Sequence, residues 1–224
     1  MAHIDCRLDH DPHLKEDIAM PSKKMKTQDG NSCAAHCTVI AVSELTNSDA
    51  SLSKTFTEDT LWPEIQFREE GGAPATKLLA EAQNSDPRRI LSSVKKRWSG
   101  VTAKLVCDEV QKNKAISYVA SGYQDGMLAL FNMLTAGGVK APVALEDFVF
   151  YNCSYTMHNG GIPSESNYSG MHNILVTMEG GKCYYYNSNE DDPQWKTTSN
   201  WKLLEKQNGG NHSYVFSGVG VALM

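Results

Sequence analysis

No two cysteines in this 224-residue sequence stand in the C-x-x-C spacing of a zinc site or a redox motif. The six present are Cys6, Cys33, Cys37, Cys107, Cys153 and Cys183. Their even number permits pairing, but they are too sparse for a disulfide scaffold. A basic excess is missing too: 21 Lys and Arg face 26 Asp and Glu, a net charge of -5, which argues against a general nucleic-acid binder. No apolar run approaches the roughly 18 residues that a membrane helix needs. The opening MAHIDCRLDHDPHLKED is polar and acidic and lacks the apolar core of a secretory signal. A cytoplasmic protein, or one exported by a specialised system that reads no such signal, is expected. The sequons at Asn152, Asn167 and Asn211 are accordingly read as chance. No cofactor motif is present, so none is expected, and no signal fixes an oligomeric state.

What is present describes a globular chain. Apolar residues make up 41% and charged residues 21%, over a length that can bury one well-packed core. Residues 1–27 are polar, with a basic cluster at Lys23, Lys24 and Lys26 read as solvated surface; they are expected to form an N-terminal arm before a domain at 28–224. Residues 33–46 form a mostly apolar cylinder through Ala34, Ala35, Val39, Ile40, Val42 and Leu45, which predicts a buried helix capped by Asn31 or Ser32. A polar loop is expected over 46–60 and a short helix over 61–71. Prolines at 74 and 87 predict two helix starts. A helix over 101–113, a strand at 116–120 and a helix capped by Asp125 follow. The run 139–152 predicts a central strand, and the Gly/Ser/Asn-rich stretch 153–171 a long loop that gates a cleft. Two strands around Glu179-Gly180-Gly181 predict a hairpin. A short helix over 195–206 and a closing strand complete the pattern, which is α+β: a helical layer packed on an antiparallel sheet.

The chemistry concentrates at two places. Cys33 stands where the first turn of the buried helix begins, and the unpaired N–H groups and positive dipole end there favour a thiolate. A cysteine nucleophile needs a base, and the base needs an orienting group. His172 opens an apolar strand, and Asn187 lies fifteen residues later across the hairpin, where paired strands bring the two together. Asn189 shares the face of Asn187 by the period-two rule, so both are candidate orienters. Gln28, five residues before Cys33, can offer its amide to an oxyanion, with the backbone N–H of Cys33 as second donor. His158 is a rival base. His36 is too close to Cys33 along its helix to serve as base, and Cys37, one turn deeper, reads as core. A metal set of His158, His172 and Asp191 or Asp192 matches no hydrolase spacing, so no metal is expected.

This ordered set resembles the papain-like cysteine peptidase superfamily. It is closest in pattern to the bacteriocin-processing, double-glycine leader peptidases and their standalone relatives. The likeness rests on Gln28, the Gly30-Asn31 turn, Cys33-Ala34-Ala35-His36-Cys37, LTAGGVKAPVALEDF, His172 and Tyr186-Asn187-Ser188, over roughly residues 25–50 and 125–205. The Gln-to-Cys interval is one residue shorter than usual in papain-like enzymes. Alanine replaces the glycine that commonly follows the cysteine. Asn stands where the leader-peptidase branch has Asp, with Asp191-Asp192-Pro193 nearby. The resemblance implies a papain-like fold in which Cys33, His172 and Asn187 form a triad, Gln28 serves the oxyanion, and a protein or peptide amide is cleaved. The same triad also suits a glutamine or asparagine deamidase, or an acyl transferase of the bacterial-effector kind. A catalytically silent binding module is the alternative outside enzymes.

Overall fold

The computed structural model describes residues 20–68, 74–139, 145–207 and 211–224. It is a mixed structure of helices and one antiparallel sheet, α+β as expected. Its helices are α1 (Cys33–Thr46), α2 (Trp62–Ile65), α3 (Pro74–Glu81), α4 (Pro87–Arg97), α5 (Glu109–Ile116) and α6 (Ser121–Thr135). Its strands are β1 (Ala103–Cys107), β2 (Phe150–Asn159), β3 (Tyr168–Glu179), β4 (Lys182–Tyr186), β5 (Trp195–Thr198), β6 (Leu203–Gln207) and β7 (His212–Leu223). The sheet runs β1-β7-β2-β3-β4-β5. Strand β7 is long enough to pair with β6 along its first half and with β1 along its second.

Every residue of α1 from Cys33 to Ser43 is buried. The apolar cylinder is therefore enclosed on all sides, as its sequence demands. Its core includes Val39, Ile40, Ile90, Val94, Phe150, Leu175, Tyr186 and Leu223. On β3 the neighbours of Leu175, namely Ile174 and Val176, belong to a second cluster with Tyr155, Tyr185, Tyr214 and Phe216. Successive strand residues point to opposite faces, so the sheet is buried on both. A third cluster seats Leu79, Met127, Leu130 and Phe131 against Cys107 and Val219. Gly218 permits this junction of α5 with β7: its φ is +83°, and a Cβ there would lie 2.4 Å from the Asp108 carbonyl oxygen.

Several expectations are corrected. The stretch 101–120 is strand then helix, the reverse of the expected order. Asp108 accepts from the Gln111 N–H and starts α5 after β1, so the cap sets the boundary that hydrophobic periodicity left ambiguous. The expected loop at 46–60 ends in a π-helical stretch, Phe56–Leu61, that runs into α2. Helix α6 begins at Ser121, before Asp125. Of the strand expected at 139–152, residues 140–144 lie outside the described residues, and pairing begins at Phe150. The expected loop at 153–171 is mostly the paired strands β2 and β3, which leaves only 160–167 between them. Polar residues hid the strands; two of them, Thr156 and His158, are buried and bond each other. His172 accordingly lies inside β3, four residues past its start. The helix expected at 195–206 is replaced by β5 and β6.

Of the expected arm, residues 1–19 lie outside the described residues. From Met20 on, the chain is packed on the domain. The N–H groups of Ser22 and Lys23 meet Glu44, the Tyr186 hydroxyl bonds the Met25 backbone, and Trp195 donates to the Lys23 carbonyl.

Candidate active site

The loop before α1 is a tight turn through Gly30, whose φ of +58° is a left-handed value that favours glycine. The Ser32 hydroxyl donates to the Asp29 carbonyl at 2.8 Å, and the Ser32 carbonyl accepts from the N–H of Ala35 and His36, so the helix starts at Cys33. The Asn173 backbone N–H, one residue past His172, donates to Cys33 Sγ at 3.3 Å. A ladder of amides fixes this approach. Asn173 donates to Asn152 Oδ1 at 2.9 Å, and Asn152 donates to the Ala34 carbonyl and the Thr38 hydroxyl, each at 2.9 Å. Strands β2 and β3 thus hold the first turn of α1. Sequence reading missed Asn152 and Asn173; two asparagines inside apolar strands were the available signal, since buried amides need partners.

His172 Nε2 lies 2.8 Å from Asn187 Oδ1. The Asn189 backbone N–H donates to that same Asn187 atom at 3.1 Å. A backbone N–H can only donate, so the shared atom is the amide oxygen and the amide is not flipped. An amide oxygen can only accept, so His172 Nε2 carries the proton and Nδ1 holds the lone pair. Asn187 is therefore the orienter. Asn189 is exposed and contributes its backbone, which separates two candidates that the period-two rule left equal. Tyr214 on β7, missed in the sequence, packs its ring 5.3 Å from the imidazole, with its hydroxyl facing the side chains of Asn187 and Asn189.

Desolvation by burial pushes the Cys33 thiol up to about 11, against the backbone N–H groups of Asn173, Ala34 and Cys33, which favour the thiolate. Burial also pulls the His172 imidazole down to about 4, opposed by the Asn187 hydrogen bond and helped by His212. At neutral pH the two rest as thiol and neutral imidazole. Among the described residues they are not hydrogen-bonded to each other: the sulfur's bonds go to Asn173 and, at 3.9 Å, to the Asn31 carbonyl.

No family model matches the chain, and no curated protein is significantly similar to it. The reading of the site therefore stands on this geometry.

Gln28 is tied to the segment that carries Asn187. Its Oε1 accepts from the Ser188 hydroxyl at 2.5 Å, and its backbone N–H donates to the Ser188 carbonyl at 3.0 Å. Its Nε2 donates to the Gly30 carbonyl at 2.9 Å, leaving the second amide hydrogen for another acceptor. Beside Asn189 and His212 opens a polar cavity of about 530 Å³, walled by Glu190, Asp191, Asp192 and Lys196. Glu190 is paired with Lys196 at 2.6 Å, which leaves two aspartates to make that flank negative.

A second histidine braces the turn before α1. His36 is fully buried, and its Nε2 bonds Glu58 Oε1 at 2.9 Å; the same oxygen accepts from the Asp29 N–H at 2.8 Å. Burial holds the His36 imidazole below its ordinary value, so it donates as a neutral ring. Glu58→Ala would strand both donors and free the turn that sets Cys33. We expect it to cost about 2 kcal/mol, with Glu58→Gln recovering part of this through its amide oxygen. Urea unfolding of the two variants measures it.

The rival base His158 is bonded to the Thr156 hydroxyl, the Ser164 carbonyl and the Asn167 amide oxygen, which commits both ring nitrogens within the β2–β3 end. Cys37 faces the Asn173 carbonyl in the core, as expected. Among the described residues no group of three or more His, Cys, Asp or Glu is arranged to hold a metal ion.

Proposed function

We propose that this chain is a papain-like thiol hydrolase that cleaves an amide bond in a peptide or protein. The observation that carries this reading is the fixed tautomer of His172. Asn187 holds the proton on Nε2 and leaves Nδ1 as a base, on the residue next to Asn173, whose backbone N–H donates to the Cys33 sulfur. When a carbonyl carbon meets Cys33, the Sγ proton passes to Nδ1 as the S–C bond forms. The oxyanion is received by the Cys33 N–H and the free hydrogen of the Gln28 amide. His172 then gives its proton to the leaving nitrogen as the C–N bond breaks. Water, deprotonated by the same Nδ1, releases the acyl group as a carboxylic acid and restores the thiol. Catalytic hydrogen bonds often tighten only in the substrate complex, which accommodates the unbonded resting pair. Tyr214 covers the His172–Asn187 bond and keeps water from competing for it.

The test is mass spectrometry of a cell lysate treated with the wild type and with Cys33→Ala, together with labelling by an amide-mimicking electrophile. New peptide termini only with the wild type, and labelling at Cys33 well above Cys107, are the expected results. Conversion of a side-chain amide to an acid without cleavage would replace peptidase by deamidase. An amine adduct would indicate acyl transfer. Labelling of Cys33 no faster than of the buried Cys107 would overturn the enzyme reading and leave a binding module.

A further inference from the structure

A second pocket, of about 400 Å³, lies between the far ends of α1 and β3. Glu44 stands eleven residues beyond Cys33 on α1, roughly 16 Å along the helix axis at 1.5 Å per residue. Met178 stands six residues beyond His172 on β3, roughly 20 Å along the strand. The pocket is thus well separated from the candidate triad.

Its wall contains an unusual carboxylate. Glu179 is 8% exposed, both of its oxygens are shielded from solvent, and among the described residues neither has a hydrogen-bond partner. An unpaired buried charge is costly, because nothing replaces the water it has lost. The surrounding groups make the position worse. Burial raises the Glu179 carboxyl above its ordinary value, and the charges of Glu44 and Asp147 raise it further. Glu44 is occupied by the N–H groups of Ser22 and Lys23, and the Lys23 ammonium by Asp49. Lys182 stands opposite Glu179 in the β3–β4 register, but it is exposed and forms no ion pair with it among the described residues. The rest of the pocket mixes Pro21, Leu45, Phe150 and Met178 with Ser22, Asn47 and Thr177, and Met20 and Phe148 stand at the rim. Met20 is 63% and Phe148 51% exposed. Phe148 is also held at a φ of +63°, a conformation that costs a bulky residue energy and that sets its ring beside the opening.

We propose that this pocket is a binding site for a lysine or arginine side chain presented by a peptide or protein partner. On binding, the Glu179 carboxylate turns from its shielded position toward the pocket, where the cationic head neutralises it, and the aliphatic stem lies along Leu45, Phe150 and Met178. The exposed rings and thioether at the rim receive flanking apolar residues, and Phe148 adds a cation–π contact. A bare metal ion fits poorly: of the two carboxylates in the wall, Glu44 is already engaged by the N–H groups of Ser22 and Lys23, and no group of three or more His, Cys, Asp or Glu is arranged to hold a metal ion among the described residues. The flanking apolar rim favours a peptide over a free amine. This inference does not depend on the thiol-hydrolase reading, because it uses none of the triad.

The test is a titration of the full-length, 15N-labelled chain with acetyl-Phe-Lys-Phe-amide, followed through backbone amide shifts. Shifts should concentrate at Leu45, Phe148 and residues 177–179. The peptide with norleucine in place of lysine, which keeps the stem and lacks the charge, should bind at least about tenfold more weakly. Glu179→Gln should weaken the lysine peptide by about tenfold, and should raise the melting temperature of the free protein because the unpaired charge is gone. Phe148→Ala, at an exposed position, should weaken it without unfolding the chain. Labelling at Cys33 should be the same in the wild type and Glu179→Gln. Equal binding of the lysine and norleucine peptides, or no shift at about 10 mM peptide, would overturn the proposal. So would binding that Glu179→Gln leaves unchanged. Binding of n-butylammonium as tight as that of the peptide would overturn the peptide part and make the pocket a small-amine site.

Discussion

Cys33→Ala should lower the cleavage rate by about 10⁴-fold or more, and His172→Ala should lower it as far. The double variant should be no worse than either single one. The reason is mechanistic: without the sulfur there is no acyl-enzyme, and without Nδ1 a thiol pushed up to about 11 by burial has no acceptor for its proton. Either loss alone disables the covalent route, so the second removes nothing further. Asn187→Ala should cost less, about 10²-fold, because the ring remains but its proton is free to sit on either nitrogen. Asn187→Asp keeps an acceptor for Nε2 and adds a negative charge that favours the imidazolium. It should therefore raise the imidazole from its value of about 4 and move the acid limb of kcat/KM to higher pH. These five variants, assayed on one cleaved peptide across pH, separate the roles. Additive losses in the double variant would show that Cys33 and His172 act independently, and would remove the basis for a triad.

Stability should fall steeply as pH drops from about 6.5 to about 4, the interval between the ordinary value of a histidine and that of His172. In this window the unfolded chain binds a proton that the folded chain refuses, so the slope of stability against pH is positive. The stability is fully present above the unfolded value and is lost as pH falls through the folded one. His172 alone accounts for about 3 kcal/mol, at 1.36 kcal/mol per pH unit. His36 and His158, both also held low by burial, act in the same direction. Glu179 opposes them, because a carboxyl raised by burial gains protons on folding as pH falls. Urea unfolding at several pH values between 7.5 and 4 measures the slope, and His172→Gln should flatten it. A stability that stays level down to pH 5, or a slope unchanged in His172→Gln, would contradict the burial of a neutral imidazole at this position.

Much of the site was legible because its local signals are strong. A polar turn joined to an all-apolar helical run places Cys33 at a helix start. A glycine-pair hairpin fixes how far apart His172 and Asn187 stand, and both follow from chain-local physics. Other elements were misread for one shared reason. The stretches 101–120, 153–171 and 195–206 mix polar and apolar residues without a clean period, so partners distant in sequence decided their state. Asn152 shows the same dependence on distant partners. In the sequence it ends an expected strand and reads as a chance sequon. In the fold it is fully buried, bonding the first turn of α1 and Asn173 of β3 at once.

The sequence by itself therefore determined the α+β class, the buried helix with cysteine at its start, and the hairpin that carries histidine and asparagine. Those features depend on residues within a few positions of one another. Only the tertiary structure decided that Asn187 rather than Asn189 orients His172, because that choice turns on a backbone N–H that identifies the amide oxygen. It also decided that His158 is committed elsewhere, that Tyr214 packs on the imidazole, and that Glu179 lies in a pocket wall without a hydrogen-bond partner among the described residues. Each of these depends on which groups lose water together, and desolvation is a property of the packed chain that no local run of residues specifies.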